Sequence, residues 1–305
     1  MWLGALLGNQ FLGPLDSLDS IREEADEVTR SGFKVLVAGQ HVIGDPYVMV
    51  DPSVSLSVVR TDLTKKYADV PDVVVILVAG VWRIEALHQL RSSLAAIGPG
   101  RVGLGMAAGY KTSDFPDEAS HKARFRLRRE RLSSLASSSF DWLGQKPIVW
   151  SAANTVRAAE LANEFNAVCY VGPRVRVHDL LPMREVLRDP GSIVIRRDVL
   201  LTSGPGLAKS TSEMASYAAD KYSTLDQWGD SAADDAAAAK DESSALIMGS
   251  PEEVVAEINR FAGACSPAGI VFRTAWPDMP RDVASAHVRA FCSAVVPGIN
   301  TTPVA

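Results

Sequence analysis

The sequence predicts an α/β fold: a closed (β/α)8 barrel of the TIM type, in a single domain over residues 1–305. Three observations carry this. Apolar runs of strand length alternate with helical periodicity from end to end, with no break that would mark an open doubly wound sheet. The run Asp72 to Ala79, DVVVILVA, is continuously apolar after its first residue, as a strand buried on both faces requires. Several strands end in Gly or Ala, where the backbone can approach a ligand closely because no bulky side chain intervenes.

Trp2 to Gly8 is the first strand. Leu18 to Arg30 has helical spacing with an acidic face and ends at Ser31-Gly32. Phe33 to Ala38 forms the second strand and delivers Gly39-Gln40-His41. Pro52 to Lys65 is the next helix, Asp72 to Ala79 the third strand, and Ile84 to Ile97 a helix stopped by Gly98-Pro99. Arg101 to Gly109 is the fourth strand, opening onto a polar loop and then a basic helix around Ala123 to Ala136. Strand five, Pro147 to Trp150, precedes a helix from Asn154 to Asn163. Strand six, Val168 to Val171, precedes a helix near Leu180 to Leu187. Strand seven is Ile193 to Leu200 and strand eight Ile270 to Ala275. Between them lies a long Ala/Ser/Asp-rich stretch, residues 205–244, read as a helical insertion or lid; a solvated linker fits it equally. Ser250-Pro251-Glu252-Glu253 then starts a helix, with an N-cap serine, proline in the first position and acids in the first turn.

Composition narrows the function classes. A net charge of −5 argues against nucleic acid or an anionic membrane surface as partner. No apolar run approaches the ~20 residues that span a bilayer. The opening MWLGALLGNQ lacks the basic start and cleavage site of a secretion signal, so a cytoplasmic protein is expected. Cys169, Cys265 and Cys292 form neither a zinc-type nor a redox-type pair, and the five histidines lack ligand spacing, so no metal site is expected.

Six segments carry a resemblance. They are ADEVTRSGFKVLVAGQH, GPGRVGLGMAAGYKTSDF, PIVWSAANTVRAAELA, MGSPEEVVAEINRFA, FRTAWPDMP and VRAFCSAVVP. In order and spacing the chain resembles the bacterial luciferase-like monooxygenase family of flavin- and deazaflavin-dependent barrel enzymes. It departs from that pattern at several points. The family's second strand commonly ends in Glu-His, and here it is Gln40-His41. Ala108 stands where some flavin-binding members carry a basic residue, and Gly80 replaces a proline after the third strand. The insertion before strand five is reduced to Phe140 to Lys146.

The resemblance implies a reduced flavin at the C-terminal mouth of the barrel, FMN or alternatively a deazaflavin coenzyme. It places Gln40, Val75, Ile76, Met106, Ala107, Ala108 and Gly109 at the ring. Val75 and Ile76 match the point where the family bends its backbone against the flavin, although two plain core residues in a straight strand compete with that reading. Ser151, Ala152, Asn154 and Thr155 form a strand-to-helix turn whose free N–H groups suit the cofactor phosphate; Asn154 also reads as a simple helix cap. His41 is the candidate catalytic residue, able to move a proton near neutral pH, whereas from the residues alone a lone strand-end histidine reads as structural. Tyr110, Arg273 and Trp276 are expected to line the substrate pocket. The six basic side chains between His121 and Leu132 read as a solvated helix face rather than an anion funnel.

The first expectation is a monooxygenase using reduced FMN and O2 on a small organic substrate. A separate flavin reductase would supply it, since no Gly-x-Gly-x-x-Gly nicotinamide fingerprint follows the first strand. A deazaflavin-dependent hydride-transfer oxidoreductase and a non-catalytic flavin-binding barrel are the alternatives. A homodimer is the family expectation.

Overall fold

The computed structural model describes residues 1–8, 10–11, 17–40, 48–109, 121–138, 148–173, 175–204, 207, 246–275 and 279–301. The chain begins β1 (Trp2–Leu6), β2 (Gln10–Phe11), α1 (Ser17–Arg30), β3 (Val35–Gly39), β4 (Val48–Met49), α2 (Pro52–Lys66). It continues with β5 (Asp72–Val78), α3 (Ile84–Ala96), β6 (Val102–Ala107), α4 (His121–Ser137), β7 (Ile148–Ala153), α5 (Val156–Glu164) and β8 (Val168–Val171). The last part is α6 (Val177–Glu185), β9 (Ile193–Leu201), β10 (Leu246–Gly249), α7 (Pro251–Cys265), β11 (Gly269–Arg273) and α8 (Arg281–Ala290).

Strands β1, β3, β5, β6, β7, β8, β9 and β11 pair side by side, each parallel to its neighbours, and β11 returns to β1 to close the ring. The predicted parallel barrel is therefore the observed fold. Two pairings lie outside the expected repeat. Strand β8 accompanies only Ile193 to Ile195 of the long β9, and β10 pairs parallel with its second half, from Asp198 to Leu201. A two-residue antiparallel pairing joins β2 to β4. The expected insertion 205–244 falls outside the described residues except for Leu207. The predicted start of α7 is present as a reciprocal capping box. Ser250 Oγ accepts from Glu253 N at 3.3 Å, and the Glu253 carboxylate accepts from Ser250 N at 2.7 Å.

Each barrel strand is buried on both faces, so alternate residues belong to two different cores. Leu36, Val75, Leu77, Leu104, Met106, Val171, Ile195 and Phe272 point outward into the layer beneath the helices. Val35, Val37, Val74, Ile76, Trp150, Tyr170, Val194 and Val271 point inward and fill the ring. Trp150 plugs the interior, its ring centroid 6.3 Å from Trp2 and 5.2 Å from Tyr170. Glycines make the room: a Cβ on Gly105 would collide with Ile76, and one on Gly269 with the Trp2 indole.

Buried polar ties hold both ends of the ring. At the N-terminal end Arg60 of α2, 1% exposed, donates from Nη2 to the carbonyls of Gly98 and Gly100, the latter at 2.8 Å. This fixes the turn before β6, where Gly100 adopts φ +89°. At the C-terminal end His287 of α8 accepts from Leu201 N through Nε2 at 2.7 Å, which leaves its proton on Nδ1, toward the Thr274 carbonyl. Glu24 of α1 accepts from Gly8 N at 2.8 Å and, more weakly, from Thr274 Oγ1 at 3.5 Å. These two side chains join the ends of β1, β9 and β11. Burial pushes His287 down to about 4 and Glu24 up to about 7.

Arg60→Ala removes the clamp and leaves two carbonyls without their donor, and should cost about 3 kcal/mol in urea unfolding at pH 7. A loss below about 1 kcal/mol would show that the turn holds without it. The other two ties oppose each other. Neutral His287 stabilises the fold fully above its ordinary value of 6.5, and that stability is lost as the pH falls toward 4. Native Glu24 takes up a proton near pH 7 that the unfolded chain binds only near 4.5, so acidification between those values stabilises the fold. Each effect approaches about 3 kcal/mol at its limit, so between pH 7 and 5 they nearly offset. In Glu24→Gln only the histidine contribution remains, and the unfolding free energy should drop by about 2 kcal/mol more than in the parent over that interval. Superimposable pH profiles would sink this account.

Candidate functional site

The C-terminal ends of the strands form a mouth whose two sides differ. Alternation along each strand turns Gly39 of β3, Ala107 of β6, Ala152 of β7 and Gly172, just beyond β8, toward its interior. None of these carries more than a methyl group, so apart from Val78 of β5, paired with Ala107, this side is lined by small residues that leave room for a flat ligand. The other side carries Arg196, Asp198 and Leu200 of β9 and Arg273 of β11, with Met248 of β10, 51% exposed, on the rim. The floor is Trp150, whose buried indole N–H finds no acceptor among the described residues.

The expected ring-contacting residues divide by phase. Gln40 is held between strands: its N donates to the Ile76 carbonyl at 2.8 Å, and its Oε1 accepts from Val78 N at 3.1 Å and Trp82 Nε1 at 2.9 Å. Ile76 points inward, between Gly39 and Gly105 in the ladder. Val75 does not: it points outward, 0% exposed, and the ladder runs unbroken from Val73 to Val78. Of this pair, therefore, only the Ile76 side chain faces the barrel interior. Met106 likewise points outward into the helix-facing core, leaving Ala107 as the inward neighbour. Ala108 and Gly109 lie past the strand, half-buried, with Gly109 at φ +80°.

The expected phosphate turn is also rearranged. Strand β7 runs on to Ala153, so Ser151 is a strand residue, outward-facing and fully buried, and Ala152 faces the mouth. The helix starts at Val156 rather than Asn154, and its cap is Thr155, whose Oγ1 accepts from Ala158 N at 3.3 Å. Asn154 caps nothing; its Oδ1 accepts from Gly172 N at 2.9 Å and ties the end of β7 to that of β8. Residues 154–157 are exposed, which leaves the first turn of α5 open at the mouth. Arg273 is 8% exposed and donates from Nε to the Ala275 carbonyl at 3.3 Å. His41, Tyr110 and Trp276 lie outside the described residues.

The basic helix is in part the solvated face expected, with Lys122, Arg126 and Arg129 exposed, but two of its arginines turn inward. Arg128 is 4% exposed and donates from Nη1 to the Ala152 carbonyl at 2.6 Å, while its Nε and Nη2 have no partner among the described residues. Arg124, one turn nearer the mouth and 7% exposed, has Nε and Nη1 in the same condition. Desolvation pulls Arg128 down to about 10. The Phe125 ring lies 4.9 Å from the Arg128 guanidinium and 5.0 Å from that of Arg157, which sets the start of α5 beside α4. Two buried guanidiniums with spare donors beside an open helix start make a set suited to a phosphate. The sequence held a signal for this: Arg124 and Arg128 share a helical stripe with Leu132 and Leu135, both buried.

Two further charges of the mouth, among the described residues, form an ion pair. Asp198, 0% exposed, receives Arg196 through two parallel bonds, Nε to Oδ1 and Nη2 to Oδ2, each 2.7 Å. Among the described residues no group of His, Cys, Asp and Glu is placed to hold a metal ion, and no helix is long and apolar enough to cross a membrane.

No protein-family model matches the sequence, and no curated protein sequence matches it either. Solved structures do. The monooxygenase RslO1 from Streptomyces bottropensis superposes with a TM-score of 0.73 at 17% identity, over 97% of this chain and 99% of its own. The oxygenating constituent of 3,6-diketocamphane monooxygenase from Pseudomonas putida, solved with FMN, gives 0.69 at 13% identity, over 98% and 99%. An F420-dependent secondary alcohol dehydrogenase, solved with an F420–acetone adduct, gives 0.66 at 14% identity, over 98% and 99%. At these identities the likeness is one of fold, and the chain shares over nearly its whole length the barrel of these oxidoreductases.

Proposed function

We propose that the chain is a luciferase-like flavin-dependent oxidoreductase, and specifically a monooxygenase that uses reduced FMN and O2 to oxidise a small organic substrate. The observation that carries this reading is the pair of buried arginines, Arg124 and Arg128, with unused donors beside the open start of α5, directly behind the small-residue side of the mouth. Their charge is costly to bury without an anion and is offset by a phosphate. Gly39, Ala107, Ala152 and Gly172 leave space for a flat ring, Gln40 secures the adjoining strand ends, and the Trp150 plug keeps water from entering below. The flavin, when bound, supplies the electrons and the reaction with oxygen. His41, next in the chain after Gln40, is the residue assigned to move a proton. A separate flavin reductase, a homodimer and a cytoplasmic location complete the proposal. The second reading, deazaflavin-dependent hydride transfer, is favoured by Ala108 in place of a basic residue and by the fold shared with the F420-dependent dehydrogenase.

Titration with FMN, reduced FMN and the deazaflavin, followed by flavin fluorescence, tests the reading. Reduced FMN should bind most tightly, and Arg124→Gln should weaken it about tenfold or more while circular dichroism stays unchanged. Equal affinity in the variant removes the arginine pair from the site, and preference for the deazaflavin turns the reading to hydride transfer. His41→Ala should retain FMN binding and lose turnover; undiminished turnover would exclude it as the proton carrier.

A further inference from the structure

We propose that the aromatic column inside the barrel, Tyr170, Trp150 and Trp2, is an electron relay that carries oxidising equivalents from the mouth to the opposite end of the ring. Its role rests on the oxygen chemistry of the functional reading above, yet its test needs no flavin. The three rings descend from the mouth. Tyr170 pairs in register with the mouth-facing Ala152 and is the inward residue of β8 next below Gly172. Its ring is 5.2 Å from that of Trp150, which in turn lies 6.3 Å from Trp2. Trp2 opens β1 at the N-terminal end of the ring and is half-buried there. The interior of such a barrel is ordinarily filled by branched aliphatic side chains. Here glycines yield their volume to the indoles: a Cβ on Gly269 would collide with the Trp2 ring, and one on Gly105 would lie 3.2 Å from Trp150 Cβ. A mere filler also has no use for the indole N–H of Trp150, a buried donor without an acceptor among the described residues, which leucine or phenylalanine would not strand. An unpaired polar group of this kind calls for a function, and one-electron chemistry of the indole supplies one.

Burial sets the direction of transfer. The oxidant is an oxygen-centred radical, RO•, left by breakage of a peroxide O–O bond at the mouth. It takes one electron from Trp150 across the Tyr170 ring and a proton from solvent, and leaves as the alcohol ROH. Oxidised Trp150 keeps its N–H proton, because no acceptor among the described residues meets it, and so becomes a radical cation among apolar neighbours. A charge is costly there. An electron from Trp2 neutralises it, and the positive charge passes to the half-buried ring, where water accepts the N–H proton of Trp2. The neutral indolyl radical left on Trp2 takes a hydrogen atom from a thiol, RSH, and two of the resulting thiyl radicals join as a disulfide. The sum converts RO• and RSH into ROH and RS•, with the relay returned to its starting state. The oxidising equivalent thus leaves the mouth without attacking its lining.

The test places a photo-oxidant at the rim of the mouth in the full chain. Val156, 36% exposed at the start of α5, is replaced (Val156→Cys) and labelled with a ruthenium(II) tris-bipyridyl complex; the native cysteines are buried and do not compete. A laser flash with ruthenium(III) hexaammine as electron acceptor then makes a one-electron oxidant there. Transient absorption should show an indolyl radical cation giving way to the neutral indolyl radical. Spin trapping followed by peptide mass spectrometry should place the adduct on Trp2. Trp150→Phe keeps a flat ring in the core that this complex cannot oxidise, and the Trp2 adduct should be lost. Trp2→Phe leaves the plug in place, should lengthen the life of the radical cation, and serves if Trp150→Phe does not fold. An undiminished Trp2 adduct in Trp150→Phe, an unchanged radical lifetime in Trp2→Phe, a radical that stays on Tyr170, or adducts confined to tryptophans outside the column would each overturn the proposal. FMN titration of the unlabelled protein reads the functional assignment separately: transfer without FMN binding would defeat that assignment and leave the relay standing, and FMN binding without transfer would do the opposite.

Discussion

Eight parallel strands closed into a ring enclose a space that side chains must fill, and the rest of this structure depends on how that is done. Here three aromatic residues, Trp2, Trp150 and Tyr170, occupy the interior, and Gly105 and Gly269 yield the volume they need. Because the interior is solid to that level, a ligand can meet the protein only above it. The strict two-residue period of each strand then decides which side chains meet it there. Ile76 faces in and Val75 out; Ala107 faces in and Met106 out. Arg196 and Asp198 face in, while Arg197 between them turns out, lies 3.8 Å from the Phe261 ring and donates to the carbonyls of Pro173 and Val175.

That same packing explains what the sequence disclosed and what it withheld. The barrel was legible because eight runs of β-branched and aliphatic residues alternate with helical periodicity, and the starting signal of α7 at Ser250 was complete in four residues. Phase was not legible. A strand buried on both faces carries no apolar–polar alternation, so DVVVILV gives no sign that Val75 and Ile76 belong to different cores. Strand β10 was not legible because four residues next to a helix cap are too short for a periodic signal. Where charges interrupt an apolar strand, phase does become readable. Arg196 and Asp198, two residues apart in an otherwise apolar β9, fall on one face and form the buried pair.

The buried arginines of the mouth region show how far local electrostatics can depart from the overall balance. The chain carries a net charge of −5, yet Arg124, Arg128 and Arg273 are buried around this end of the barrel and Arg196 is partly buried beside them, with the buried Asp198 in their midst. Acids of the outer layer, such as Asp19, Glu23, Asp26 and Glu27 of α1, are engaged by surface cations that solvent screens. Attraction of anions is therefore a property of the cavity, felt at short range, and the molecule as a whole does not draw them from a distance.

The placement of β10 has a consequence for how such a barrel can change. Thr202 N donates to the Gly249 carbonyl at 2.9 Å, so the chain leaves the sheet at the end of β9 and comes back to the same strand edge. The sheet itself brings the two ends of the intervening segment together. Once ends are fixed in this way, the entropic cost of a longer connection grows only logarithmically, by about 0.6 kcal/mol for each doubling in length. The position between β9 and β10 thus works as a cassette. Its contents can be exchanged or enlarged, by evolution or in the laboratory, while the ring of strands and its aromatic plug stay as they are.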